Sequence, residues 1–201
     1  MIYFTSDLHF GHQNIIQLTQ RPFNDIQEMN KKLIDNYNSV VEKDDTVYFL
    51  GDIAHELTLD KIYNLLSQLK GRKILIRGNH DLSYEYELTN RKQKIFDEIN
   101  DFKMIQENNL IFVLSHYPML SWFDSRKGTI MLHGHIHAKN SYNLANQKLG
   151  LRRFDVGVDA NNYYPISLNR IIQDLKFMPE YKNFDEIPYY LDAITASHIN
   201  F

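Results

Sequence analysis

Asp7 and His9 stand two positions apart, and residues i and i+2 of an extended segment point the same way, so the two can bind one ion together. Similar side chains recur along the 201-residue chain: Gly51-Asp52, Gly78-Asn79-His80-Asp81, a single His116, and Gly134-His135-Ile136-His137. Carboxylate and amide oxygens mixed with imidazole suit Mn, Fe, Zn or Ni better than Ca. The candidate ligands are Asp7, His9, Asp52, Asn79, His116, His135 and His137. They are too many for one ion, and a carboxylate such as Asp52 can bridge two ions about 3.5–4 Å apart. Two dications outweigh two carboxylates, so such a site favours an anionic substrate and acidifies a bound water toward hydroxide. The glycines at 51, 78 and 134 allow tight turns and close backbone approach.

What must position these groups is visible just before each of them. Ile2-Tyr3-Phe4, Val47-Tyr48-Phe49-Leu50, Ile74-Leu75-Ile76, Ile111-Phe112-Val113-Leu114 and Ile130-Met131-Leu132 are short apolar runs, and each stops at one cluster. In open α/β sheets ligands collect at the carboxyl ends of strands. The pattern predicts strands over Ile2–Thr5, Thr46–Leu50, Lys73–Arg77, Leu110–Ser115, Thr129–His133 and Arg153–Val158. It predicts helices over Ile26–Val41, Leu59–Leu69, Glu85–Glu98 and Ser167–Leu175. Early strand–helix alternation argues for an α/β layered domain, and the shorter later connections predict some antiparallel pairing. Read singly, a strand-end histidine is an ordinary loop residue and Gly-Asp an ordinary turn. Five such motifs in order, each after an apolar strand, share no structural reason except a common site.

Composition narrows the class. With 43% hydrophobic and 23% charged residues, the chain is neither disordered nor fibrous. Zero cysteines exclude disulfides, thiolate zinc sites, iron–sulfur clusters and cysteine nucleophiles, and fit a reducing compartment. Twenty-two basic against twenty-five acidic residues, a formal charge of -3, give no global basic field and so no strong nucleic-acid signal. The opening Met1-Ile2-Tyr3-Phe4-Thr5-Ser6-Asp7 has no signal-peptide character, and no apolar run approaches the ~18 residues of a membrane span. The expected location is the cytoplasm. The expected organisation is one domain over 1–176 and a tail over 177–201. The tail holds Pro179, Pro188, Tyr189 and Tyr190, and would rest on the domain or on a partner in an oligomer.

The order Asp-x-His, Gly-Asp, Gly-Asn-His-Asp, lone His, Gly-His-x-His resembles the calcineurin-like metallophosphoesterase superfamily over residues 1 to about 175. The opening Asp7-Leu8-His9-Phe10-Gly11-His12-Gln13-Asn14-Ile15, Val156-Gly157-Val158-Asp159-Ala160 and Pro165-Ile166-Ser167-Leu168 resemble a small bacterial and phage branch of it. The resemblance implies a four-layer α/β-β/α sandwich with the site on one edge. It implies a first metal at Asp7, His9, Asp52 and His137, and a second at Asp52, Asn79, His116 and His135. Manganese is the family expectation, and Asp52 bridges together with a water or hydroxide. His80 is implied to contact phosphate and protonate the leaving oxygen, with Asp81 orienting it. The expected reaction is hydrolysis of a small phosphodiester or phosphomonoester, nucleotide-like, by a metal-bridging hydroxide without a covalent phospho-enzyme.

Around this core, Arg77 either faces the phosphate or pairs with an acid at its strand end. His12 and His55 are read as substrate contacts, against the plainer readings of a helix cap and a solvated loop. His133 reads as a satisfied buried histidine, Arg126-Lys127 and Arg152-Arg153 as solvated pairs, Trp122 and Phe123 as loop packing, and His198 as a tail residue without chemistry. Two other function classes stay open. One is a scaffold that kept the fold and lost catalysis, and the other is a nuclease acting on DNA or RNA strands. A zinc β-lactamase-type site is excluded, because its clustered His-x-His-x-Asp-His is absent.

Overall fold

The computed structural model describes residues 1–81 and 94–179. Strands β1 (Ile2–Thr5), β2 (Thr46–Phe49), β3 (Arg72–Ile76), β4 (Glu98–Asn100) and β9 (Ile166–Ser167) form one sheet in the order β4-β3-β2-β1-β9. The β1, β2, β3 and β4 pairings are parallel, and β9 runs antiparallel to β1. Strands β5 (Lys103–Glu107), β6 (Leu110–Leu114), β7 (Ile130–His133) and β8 (Arg153–Asp155) form a second sheet in sequence order. There β5 and β6 make an antiparallel hairpin, while β6, β7 and β8 are parallel.

The period of two along each strand explains the layers. Phe4, Tyr48, Leu50, Ile74 and Ile76 point to one face, where they meet Phe112, Leu114, Ile130, Leu132 and Phe154 of the second sheet. Tyr3, Val47, Phe49 and Leu75 point to the other face and meet the helices. Helix α2 (Ile26–Val40) covers that face with Met29, Leu33 and Tyr37, one turn apart. It starts where Asp25 is extended and accepts from the Glu28 amide at 2.8 Å, a cap worth about 1 kcal/mol. Helix α3 (Leu59–Leu66) adds Ile62 and Leu66 to the same layer. On the other face of the second sheet Val113 and Met131 pack with Trp122, and helix α4 (Asn140–Lys148) lies against β8, where its Asn143 brackets the Asp155 backbone. The result is the expected α/β four-layer arrangement of helix, sheet, sheet and helix.

Several elements differ from the sequence reading. The strand expected to reach Val158 stops at Asp155, beyond which Gly157 makes an isolated bridge to Ser6. The helix expected to reach Leu69 ends at Leu66. The helix expected over Glu85–Glu98 lies mostly outside the described residues. Where it can be compared, residues 94–97 are not helical and Glu98 opens β4. Helix α4 has no apolar period to predict it, because it buries Tyr142, Asn143 and Asn146, and two of those three are polar. Strand β5 lies outside the predicted strands, although Asn108 and Asn109, both at positive φ, make the tight turn that a hairpin needs. The short α1 (Ile15–Leu18) was not expected, and helix α5 (Leu168–Lys176) is capped by Ser167, whose oxygen accepts from the Arg170 amide.

Candidate functional site

Parallel strands finish at one edge, and the loops that follow β1, β2, β3, β6 and β7 carry the clustered residues there. The turns are sharp. Asp7 (φ 57°), His9 (φ 50°), Asp52 (φ 55°), His135 (φ 74°) and His137 (φ 46°) all adopt left-handed backbone. For non-glycine residues that conformation costs of order 1 kcal/mol or more each and is held by surrounding structure. Five such residues at one edge mark a place where side-chain direction outweighs backbone comfort. Glycine is required where the loops meet. A Cβ on Gly78 would lie 2.2 Å from Asp52 Oδ1, and one on Gly134 would lie 2.5 Å from Asp7 Oδ2.

Two clusters result. Asp7, His9 and His137 bring one ligand atom each to within 4.8 Å of one another, and Asp52, His116 and His135 do the same beside them. Asp52 faces both. Its Oδ2 lies 3.6 Å from His9 Nε2 and 3.5 Å from His116 Nε2, and its Oδ1 accepts from the His80 amide at 3.0 Å. Asn79 Oδ1 is 3.1 Å from His116 Nε2, so the amide oxygen stands at the second cluster. Burial raises the Asp7 pKa against the opposing charges of His137 and His116. Burial would also raise that of Asp52, but the bond and charge of His116 and the His80 amide hold it well below the usual carboxylate range. Burial pulls His9 down to about 2, with the His137 charge adding to the effect, so its imidazole is neutral and free to donate a lone pair.

For His116, burial acts downward, yet the bond to Asp52 and the charge of Asp7 push its pKa up to about 9. A histidine raised in the fold contributes stability that is complete below its unfolded pKa of about 6.5 and lost as pH climbs through the folded value. The melting temperature of chelator-treated protein is therefore expected to fall between pH 6.5 and 9, by the equivalent of roughly 3 kcal/mol. Thermal melts across that range check it, and a flat profile contradicts it.

The remaining predicted residues divide between site and frame. His80 lies at the rim with its side chain 32% exposed, its Nε2 4.0 Å from Asp52 Oδ2 and its ring edge-on to His9. His12 and His55 join it: the His12–His55 and His55–His80 centroids are 4.4 and 4.6 Å apart, and His12 Nδ1 is 3.3 Å from His9 Nδ1. Asp81 is fully buried, and its carboxylate accepts from the amides of Asp52, Ile53 and Gly78. These bonds make it a staple between the β2 and β3 loops. Arg77 forms an ion pair with Asp101 at 2.6 Å. His133 is buried between the Gly134 carbonyl and the Tyr142 hydroxyl, and Trp122 donates to the Thr129 carbonyl. The solvated reading fails for Arg153, which is buried, with its guanidinium over the Tyr142 ring and bonded to the Met119 carbonyl.

Sequence reasoning missed two charged residues here. Asp159 accepts from His137 Nδ1 at 2.9 Å and holds the guanidinium of Arg21. Asp159 lies in Val156-Gly157-Val158-Asp159-Ala160, a stretch whose spacing assigns it no role, and Arg21 has no motif around it. Tyr117 also borders the site, half exposed, with its ring 4.9 Å from that of His116 and 4.7 Å from that of His135.

The family model for calcineurin-like phosphoesterases matches residues 1–174. The chain belongs to that family. Calcineurin-like phosphoesterases hydrolyse phosphoesters and depend on two metal ions, and the protein is such a hydrolase. An uncharacterized protein of Methanocaldococcus jannaschii is 39% identical over 86% of this chain and 89% of its own length. The gene 66 protein of Mycobacterium phage L5 is 31% identical over 79% of this chain and 86% of its own. A crystal structure of an Aquifex aeolicus protein of unknown function shares the fold at TM-score 0.66 and 29% identity, covering 86% of this chain and 98% of that one. The donor set of this phosphoesterase fits two ions on its own geometry. Besides the two clusters, His9 Nε2 is buried without a hydrogen-bond partner, an orphan that a cation would satisfy. Among the described residues no helix is long and apolar enough to cross a membrane.

Proposed function

We propose that the protein is a dinuclear phosphoesterase that hydrolyses small, nucleotide-like phosphodiesters or phosphomonoesters, with manganese as its ion. The observation that carries this reading is Asp52, whose one carboxylate faces both imidazole clusters. Asp7, His9 and His137 would hold one ion and Asn79, His116 and His135 the other, with Asp52 shared. Ions held there supply neutralisation of phosphate charge and an acidified water.

The chain's own residues do the rest. Asp81 holds the Asp52 loop against the β3 loop, so the shared carboxylate does not drift. His80 stands over Asp52 at the open side, where it can give a proton to the departing alcohol oxygen. His12 and His55 wall that side. Across the second cluster, the Tyr117 ring offers a flat face for the ester's organic group. The exposed Leu120 and Phe123 follow it in the same segment.

Hydrolysis of a phosphodiester, a phosphomonoester and a set of mononucleotides and cyclic nucleotides, with Mn and then with chelator, tests the proposal. Mn-dependent turnover that chelator abolishes is expected. Two bound ions without turnover would favour a binding subunit, and turnover insensitive to chelator would reject the dinuclear reading. Stacking of a base on an aromatic ring is worth roughly 1–3 kcal/mol. Tyr117→Ala is therefore expected to raise KM for nucleotide or aryl esters about tenfold and to leave a simple alkyl phosphoester unchanged. Steady-state kinetics on the two substrate types read this directly.

A further inference from the structure

The Arg21–Asp159 pair is fully buried on both sides, with 0% side-chain exposure for each partner, and spans 138 positions of sequence. Arg21 presents its fork to the carboxylate, Nε to Oδ1 at 3.1 Å and Nη2 to Oδ2 at 2.7 Å. The same guanidinium donates to the Leu8 carbonyl at 3.0 Å and the Asp7 carbonyl at 2.7 Å. Asp159 Oδ2 also accepts from His137 Nδ1 at 2.9 Å. One buried pair thus grips both arms of the first cluster: the left-handed loop that carries Asp7 and His9, and the ring of His137.

Stability alone is a poor reason to keep such a pair. Burying two charges costs several kcal/mol in desolvation, and apolar residues of similar volume often do as well or better. The pair is also one-sided. In the second cluster His116 Nδ1 faces only a neutral acceptor, the Leu50 carbonyl at 2.7 Å. A carboxylate that accepts from Nδ1 fixes the tautomer, leaves Nε2 as the donor atom and makes the ring the more basic ligand.

We propose that Arg21 and Asp159 are positioning residues that fix the tautomer and direction of His137 and the Asp7–His9 turn, and so make the first cluster the tighter of two unequal metal sites. This inference rests on the dinuclear reading above. Carboxylates behind metal-bound histidines typically contribute 10–100-fold in metal affinity, and the gain here falls on one site only.

The test is Mn binding by calorimetry on the full chain, with melting temperature in chelator as the measure of folding. Wild type is expected to take up two ions with resolved affinities. Asp159→Asn is expected to weaken one of them 10–100-fold and leave the other unchanged, and adding His116→Ala should then remove the second ion. Arg21→Lys keeps the charge without the fork and should lie between. Asp159→Asn strands a buried guanidinium, so Arg21→Met combined with Asp159→Leu, which removes both charges, is made in parallel. A folded double variant that loses the same single site supports positioning. A folded variant that keeps both affinities, or loses both equally, reduces the pair to a structural staple and overturns the inference. If wild type binds no ion, the dinuclear reading itself has failed.

Discussion

Asp52→Asn is expected to abolish metal-dependent hydrolysis and to reduce the bound ions from two. Asparagine has the shape of aspartate and keeps an oxygen for the His80 amide, which now bonds Oδ1 at 3.0 Å. The loop geometry should therefore survive, and only the charge shared between His9 and His116 is lost. Removing a single transition-state contact commonly costs about 10²–10³-fold in turnover. Here the loss should exceed that range, because the carboxylate belongs to both clusters at once. The left-handed backbone of Asp52, stapled by Asp81, points to the same conclusion, since the fold accepts strain to aim this side chain. Turnover by a Mn-reconstituted variant, read beside its metal content, decides the matter. Wild-type rate in Asp52→Asn would reject the two-ion site.

Much of the site could be read from the chain because its logic is local. An apolar run followed by Asp, Asn or His states both a strand and what its end carries, and five parallel strand ends need no further instruction to share an edge. The layered fold follows from the same runs, since Tyr3 and Phe4 must face opposite ways. What stayed hidden depends on partners far away in sequence. Arg21 has no neighbouring motif, and its significance appears only when Asp159 arrives 138 residues later. Arg153 reads as half of a basic surface pair until Tyr142 and the Met119 carbonyl enclose it. Helix α4 carries buried asparagines that bond to β8 backbone, so no apolar period announces it. Asp81 has the same kind of hidden partner: its place beside His80 says nothing of the Asp52 and Ile53 amides, 29 and 28 positions back, that its carboxylate accepts from.

His80→Ala should behave differently from Asp52→Asn. His80 lies at the rim and reaches Asp52 only at 4.0 Å, and neither cluster of converging ligand atoms includes it. Both ions should remain bound with near-normal affinity. Turnover should drop by ~100-fold or more, the usual scale for losing a proton donor in the transition state. The leaving group supplies the sharper measurement. A phenol with electron-withdrawing substituents departs without a proton, whereas an alkoxide or ribose oxygen needs one. The variant should therefore lose little with an activated aryl ester and most with an alkyl or nucleoside ester, so that the slope of log kcat against leaving-group pKa steepens. An equal loss across the series would show that His80 binds the phosphate without donating a proton. Loss of an ion would make it a ligand, against the placement of its ring outside both clusters.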